Sequence, residues 1–191
     1  MVNIFNNWIN MTAEETYLRG CYVLSPRIFS DNRGSFFESF NQEVFYKLIG
    51  SPVNFVQDNQ SKSSKGVLRG LHFQKGEYAQ AKLVRVIKGK VLDVCVDIRP
   101  KSKTFGNSFS IILDDIENKQ LFIPRGFAHG FLVLEDNTIF SYKCDNYYNK
   151  SSESGILYND STLKIDWNFP ERELLLSEKD KALPTFEKCF K

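Results

Sequence analysis

Only two histidines, His72 and His129, occur in the 191 residues. So few imidazoles leave few bases for chemistry near neutral pH and count against metal sites that need three. His72 lies in RGLHFQ, a glycine-interrupted apolar run, where it reads either as a satisfied core histidine or as a base. His129 lies in IPRGFAHGF, between Pro124, Gly126 and Gly130, where it either hydrogen-bonds a tight connection or faces a site. Lys82 shares its strand face with Val84 and Val86, and Tyr142 shares its own with Phe140 and Cys144. Polar heads on inward faces imply a lined pocket rather than a sealed core. Arg33 precedes Gly34 and Arg69 precedes Gly70, so each guanidinium is either a solvated surface group or a bidentate grip on phosphate. Strict alternation puts His72 and Arg69 on opposite faces, and one shared pocket therefore requires a bulge near Gly70 or a strand end. The 17 Phe, 8 Tyr and 2 Trp include several set among polar residues, as in FFESF (36–40) and YKCDNYYNK (142–150). They serve sheet packing or a stacking surface for a flat ring.

The elements that must position these groups are short strands: YLRGCYVL (17–24), VNFVQDN (53–59), GVLRGLHF (66–73), AKLVRVI (81–87), VLDVCVDI (91–98), FSIILDD (109–115), QLFIP (120–124), GFLVL (130–134) and IFSYKC (139–144). In VLDVCVDI, Leu92, Val94, Val96 and Ile98 alternate with Val91, Asp93, Cys95 and Asp97, which predicts one greasy face. Lys88-Gly89-Lys90 predicts a hairpin into it. Asn41 caps a predicted helix over NQEVFYKLIG ended by Gly50, and Ser177 caps a short turn in LSEKDKAL. Turn signals every ten or so residues predict an all-β sandwich or barrel of the jelly-roll kind, with a mouth able to hold a ligand. Residues 1–16 read as an appended arm and 17–191 as a single domain.

Composition narrows the function. Hydrophobic residues at 42% and charged residues at 25% are ordinary for a globular chain, and a net charge of +2 gives no general reason to expect nucleic-acid binding. No apolar run approaches the roughly 20 residues of a membrane span, and the first residues lack a signal-peptide pattern, so the expectation is a cytoplasmic protein with no membrane partner. The cysteines at 21, 95, 144 and 189 show no C-x-x-C spacing and read as buried reduced thiols.

Seven segments in register, FSDNRGSFFESF, FVQDNQSKSSKGVLRGLHFQ, AQAKLVRVIKGKVLDVCVDIR, SKTFG, IPRGFAHGF, YKCDNYY and LSEKD, resemble the dTDP-4-dehydrorhamnose 3,5-epimerases over about residues 17 to 184. The resemblance implies a cupin-type double-stranded β-helix and a homodimer in which strands near the N-terminus complete the partner's site. It also implies a dTDP-sugar substrate and a reaction without metal or organic cofactor. It assigns His72 as general base, Asp180 as the carboxylate that orients it, Lys82 as stabiliser of the developing oxyanion and Tyr142 as the acid on the other face. Arg69, Gln57, Asn59 and Lys179 match nucleotide or diphosphate contacts, and Arg33 and Glu38 match contacts made across the dimer. Tyr147 matches the aromatic that stacks on thymine, Glu153 a further contact, and His129 a residue lining the sugar pocket. Ser35 and Tyr158 depart from the family pattern, where Phe and Trp are usual; Ser35 lies in the region that approaches the base. A C3-only epimerase, a silent nucleotide-sugar-binding cupin and a metal-dependent cupin are the competing readings.

Overall fold

The computed structural model describes residues 10–190. Strands β1 (Met11–Glu15), β2 (Tyr22–Pro26), β10 (Gln120–Ile123), β7 (Lys82–Lys88), β12 (Thr138–Cys144) and β5 (Gln57–Ser63) form, in the spatial order β1-β2-β10-β7-β12-β5, a six-stranded sheet. Strands β13 (Glu153–Gly155), β6 (Leu68–Gln74), β11 (Phe127–Val133), β8 (Lys90–Asp97) and β9 (Ser108–Asp114) form, in the order β13-β6-β11-β8-β9, a five-stranded one. All pairings are antiparallel. From β5 to β8 and again from β10 to β13, each successive strand changes sheet, which is the winding of a cupin jelly roll. A separate hairpin, β3 (Phe29–Asp31) with β4 (Gly34–Phe36), pairs only with itself, and all six of its strand residues are exposed.

Three apolar clusters hold this together. Val84, Val86, Leu121, Ile123 and Phe140 from one sheet meet Val91, Cys95, Phe127, Phe131 and Val133 from the other between the layers. The outer face of the five-stranded sheet buries Leu68, Val94, Val96 and Leu132 against Ile156, Trp167 and Phe186 of the C-terminal segment. Leu24, Leu83 and Phe122 on the outside of the six-stranded sheet pack against Phe45 of helix α1 (Gln42–Ile49). Each such side chain contributes roughly 1.5–3 kcal/mol by leaving water.

Several expectations change here. Strand β8 buries both of its faces: Val91, Asp93, Cys95 and Asp97 point into the sandwich while Val94 and Val96 lie under the C-terminal segment. Lys88-Gly89-Lys90 makes no hairpin, because β7 and β8 belong to different sheets and the chain crosses between them with Gly89 at φ +85°. The strand expected at 53–59 begins at Gln57, since Val53 and Phe55 pack beside α1 and the polar run QDNQSKS pairs with β12 instead. Of YLRGCYVL, residues 17–21 turn and only Tyr22 onward is strand. Residues 1–9 of the expected arm lie outside the described residues, but Met11–Glu15 pairs with β2 and Met11 is buried, so that part is a strand of the sheet. The sequence reading also missed β3, β4, β13 and the closing helix α3 (Phe186–Phe190). Helix α1 has its expected caps: Asn41 Oδ1 accepts from the N–H groups of Glu43 and Val44, and Gly50 is left-handed.

At the end of β8, buried Asp97 accepts from Arg99 Nη2 (2.7 Å), Ser102 Oγ (2.5 Å) and Thr104 Oγ1 (2.7 Å). Burial raises its pKa, but these donors outweigh burial and bring it from 3.8 to about 2. A carboxylate with a depressed folded pKa contributes stability that is present above its unfolded value and is lost as pH falls through the folded one. Asp97→Asn is therefore expected to be less stable than the wild type at pH 7, and denaturant melts should show that gap closing between about pH 4 and pH 2. A constant gap over that interval would exclude the ion pair as its cause.

Candidate active site

The sandwich opens on a cavity of about 280 Å³ lined by Gln57, Asn59, His72, Phe73, Gln74, Gln80, Lys82, Tyr142, Tyr148 and Glu153. A larger hollow of about 570 Å³ beside α1 is lined by Val53, Phe122 and other apolar groups. Its Arg125 and Asp145 pair with each other at 2.7 Å, so the reactive side chains gather at the smaller cavity.

The bulge anticipated near Gly70 brings His72 and Arg69 to one side. On β6 the register passes from Arg69, opposite Phe131, to His72, opposite His129, so three residues advance on β6 against two on β11. The extra residue cancels the parity that would have separated them. Two glycines make this possible: Gly70 sits at φ +127°, and a Cβ there would lie 2.6 Å from Gly130 Cα. Gly130 faces the same restriction from Arg69 O at 2.8 Å.

His72 Nε2 lies 2.5 Å from Asp180 Oδ1, with the imidazole 30% and the carboxylate 5% exposed. Asp180 is carried by helix α2 (Glu178–Lys181), whose capping Ser177 Oγ accepts the Asp180 N–H. Backbone bonds from Leu68 N–H to Leu175 O and from Leu175 N–H to Gly66 O lay the C-terminal segment alongside β6 and deliver that turn to His72. Burial raises the Asp180 pKa, yet the bond and charge of His72, then Ser177 and Lys179, bring it below the ordinary value. The ionised carboxylate accepts a hydrogen bond from the Nε2–H, which leaves Nδ1 as the ring nitrogen free of Asp180.

Lys82 opens β7 opposite Cys144 and Ile123. Burial pulls its pKa down, against the opposing pull of Cys144, Asp93 and Glu153. Its Nζ lies 6.0 Å from the centroid of the Tyr142 ring. Burial raises the Tyr142 pKa, as do Cys144 and Glu153, while Arg69 lowers it; the phenol keeps its proton at neutral pH.

Gln57 and Asn59 line the cavity from β5, with Gln57 Nε2 donating to Asn59 Oδ1. Glu153 accepts from Tyr148 Oη at 2.9 Å and pairs with Lys179 Nζ at 2.6 Å. Arg69 donates to Ser63 Oγ at the rim. Four expected residues fall elsewhere. His129 is 6% exposed and is not among the residues that line the cavity; its Nε2 meets Asp93 Oδ2 at 2.9 Å inside the sandwich. Tyr148, not its neighbour Tyr147, presents the aromatic wall. Arg33, 86% exposed in the β3–β4 turn, pairs with Asp31, and Glu38 accepts from Asn41 Nδ2; neither reaches the cavity of its own chain.

Sequence reasoning missed Asp93, Gln74, Gln80 and Tyr148. Two acids, Asp93 and Asp97, on one face of an otherwise apolar strand were a usable sign for Asp93, and period two places Gln74 on the face of His72. Choosing between Tyr147 and Tyr148 needed the loop's backbone. Among the described residues, no group of three or more His, Cys, Asp or Glu side chains is placed to hold a metal ion, and no helix is long and apolar enough to cross a membrane. Because the β6–β11 approach leaves no room for a methyl group, Gly70→Ala is expected to destabilise the fold by about 3 kcal/mol, measured by denaturant unfolding. A loss within about 0.5 kcal/mol would mean that the bulge tolerates a side chain.

A family model described as dTDP-4-dehydrorhamnose 3,5-epimerase matches residues 15–188. The dTDP-4-dehydrorhamnose 3,5-epimerase of Escherichia coli (strain K12) is 52% identical over 182 residues, covering 95% of this chain and 97% of that protein. The crystal structure of dTDP-4-dehydrorhamnose 3,5-epimerase from Elizabethkingia anophelis NUHP1 aligns with a TM-score of 0.91 at 50% identity, over 95% of this chain and 100% of that one. The dTDP-6-deoxy-D-glucose-3,5-epimerase of Legionella pneumophila Philadelphia 1, solved in complex with dTDP-4-keto-L-rhamnose, aligns at 0.89 with 45% identity over 93% of each chain. With a family match across most of its length and relatives at about half identity, this chain belongs to the dTDP-4-dehydrorhamnose 3,5-epimerase family.

Proposed function

We propose that this protein is an isomerase that inverts C3 and C5 of dTDP-4-dehydro-6-deoxy-D-glucose to give dTDP-4-dehydro-L-rhamnose. The observation that carries the reading is the 2.5 Å His72–Asp180 pair, set in one cavity with Lys82 and Tyr142. Both carbons are alpha to the C4 carbonyl, so each proton can leave to an enolate and return on the opposite face. The overall change is redox-neutral and the proton count is restored, so the chemistry as drawn calls for no cofactor.

The barrier is one of acidity. An imidazole of pKa about 6.5 faces a carbon acid weaker by about ten units, and at 1.36 kcal/mol per unit the mismatch is about 14 kcal/mol. His72, oriented by Asp180, takes the proton at Nδ1. The Lys82 ammonium, aimed at O4, stabilises the charge as it develops, and one preorganised donor of this kind typically contributes about 3–4 kcal/mol. Tyr142, held protonated by its surroundings, returns a proton from the other side. Arg69, Asn59, Lys179 and Glu153 hold the nucleotide end directly, Gln57 serves it through the Tyr148 N–H that it binds, and that distant binding supplies positioning at the sugar. Tyr148 replaces Tyr147 as the ring that stacks on the base, because it is the one at the cavity. His129 acts from behind the wall, as a neutral group over Asp93.

The homodimer reading gains support from the β3–β4 hairpin, which stands clear of its own cavity with Phe36 71% exposed and Arg33 at its tip. In that assembly Arg33 and Glu38 reach the partner's cavity. We place the enzyme in the cytoplasm, where nucleotide sugars are made.

His72→Asn is expected to abolish exchange of the C3 and C5 protons in deuterated water while dTDP affinity stays within about threefold, read by proton NMR and calorimetry. Exchange at the wild-type rate would remove His72 as the base. Co-expressing His72→Asn with an impaired Arg33→Ala variant should restore about a quarter of wild-type activity: half of the dimers are mixed, and each mixed dimer has one intact site. No recovery in isolated mixed dimers would place Arg33 outside the partner's site.

A further inference from the structure

A buried glutamine next to the proposed base has no part in the proton transfers. Gln74, two residues beyond His72 on β6, lines the cavity, and both of its Nε2 protons and its Oε1 bond the backbone of two neighbouring loops. Its Nε2 donates to the carbonyls of Tyr78 (3.0 Å) and Tyr147 (3.3 Å), and its Oε1 accepts from Asn149 N–H (2.7 Å). From the opposite sheet, Gln57 Oε1 accepts the N–H of Tyr148 at 3.0 Å.

The Tyr147 carbonyl and the Tyr148 N–H belong to one planar peptide unit, and the Asn149 N–H belongs to the next. With both units flanking the Tyr148 Cα pinned, φ and ψ of that residue are set, and the bond from Tyr148 Oη to Glu153 holds the far end of the ring. Tyr148 is nonetheless 52% exposed within this fixed frame. A loop aromatic held in this way gives up little conformational freedom when a flat ligand covers it.

We infer that Gln74, with Gln57 across the sandwich, is a positioning residue that preorganises Tyr148 as the stacking wall for the base of a nucleoside-diphosphate substrate; this rests on the nucleotide-sugar reading above. Both polar atoms of the Gln57 side chain are already engaged, by Asn59 and Tyr148, so Gln57 acts on the nucleotide through Tyr148.

The test is a double-mutant cycle of Gln74→Met, close in shape but unable to make these bonds, with Tyr148→Ala. It is read by calorimetric binding of dTDP and by steady-state kinetics on the 4-keto sugar nucleotide. Gln74→Met alone should raise the dTDP Kd and the KM about tenfold and change kcat less than about threefold. In the Tyr148→Ala background the same substitution should cost less than about twofold, because the group it positions is gone. An equal loss in both backgrounds, or a fall in kcat at constant KM, would overturn the inference. If Gln74→Met does not fold, Gln57→Met on the edge strand carries the same cycle with the same outcomes. Failure of the unsubstituted protein to bind dTDP would overturn the nucleotide reading itself, whereas binding with additive losses overturns only the clamp.

Discussion

A histidine and a carboxylate 108 residues apart in the chain meet at 2.5 Å only if the last third of the molecule is carried back across the five-stranded sheet. That return accounts for much of the architecture. The outer face of the sheet is apolar because Ile156, Trp167 and Phe186 must lie on it, and a ladder bond from Leu68 aligns the segment with β6. The side chain of Ser177 then closes the first turn of α2 and fixes where Asp180 points. A buried carboxylate without its partner carries a large desolvation cost, so the pair and the packing that brings it together sustain each other.

The fold holds a second imidazole–carboxylate pair, and the contrast between the two is instructive. His129 and Asp93 face each other inside the sandwich at 2.9 Å, where burial lowers the pKa of the imidazole against the pull of the acid. His72 has similar chemistry with 30% of its side chain exposed. One strand ladder thus places a buried neutral ring directly opposite an accessible one. The charges of Lys82 and His72 both oppose protonation of His129, and Asp93 in turn favours the charged form of Lys82. The pair behind the cavity wall thus acts on Lys82 through its carboxylate, which offsets part of the cost of burying the ammonium.

Period-two patterning located β6, β7, β8 and β12 because their apolar residues pack on the neighbouring layers, and the caps of α1 and α2 were legible from Asn41, Gly50 and Ser177. It failed where burial and polarity part company. Strand β5 is polar because its residues border a wet mouth, and VNFVQDN misled because Val53 and Phe55 are apolar for the sake of a helix. Asp93 and Asp97 alternate with the predicted greasy face, yet each is satisfied inside the fold, by a partner distant in sequence or by one folded back locally. Lys88-Gly89-Lys90 has the composition of a tight turn whether the chain reverses within a sheet or crosses to another, and only the pairing partners distinguish the two. Of the expected site residues, Gln57, Asn59 and Asp180 were named only by the family resemblance, whereas Lys82 and Tyr142 were legible because alternation sets them on faces shared with apolar neighbours. Tyr148 was not, because a loop has no periodicity.

The β3–β4 hairpin contributes no residue to the three cores, and its strands pair with no other sheet. Its side chains are therefore released from the demands of folding in a way that those of β6 and β7 are not. Mutational drift at Ser35 or Phe36 carries little thermodynamic penalty for the subunit that bears it. The fold thus keeps a projection that bears little on its own stability apart from the side chains that its two sheets hold around the cavity.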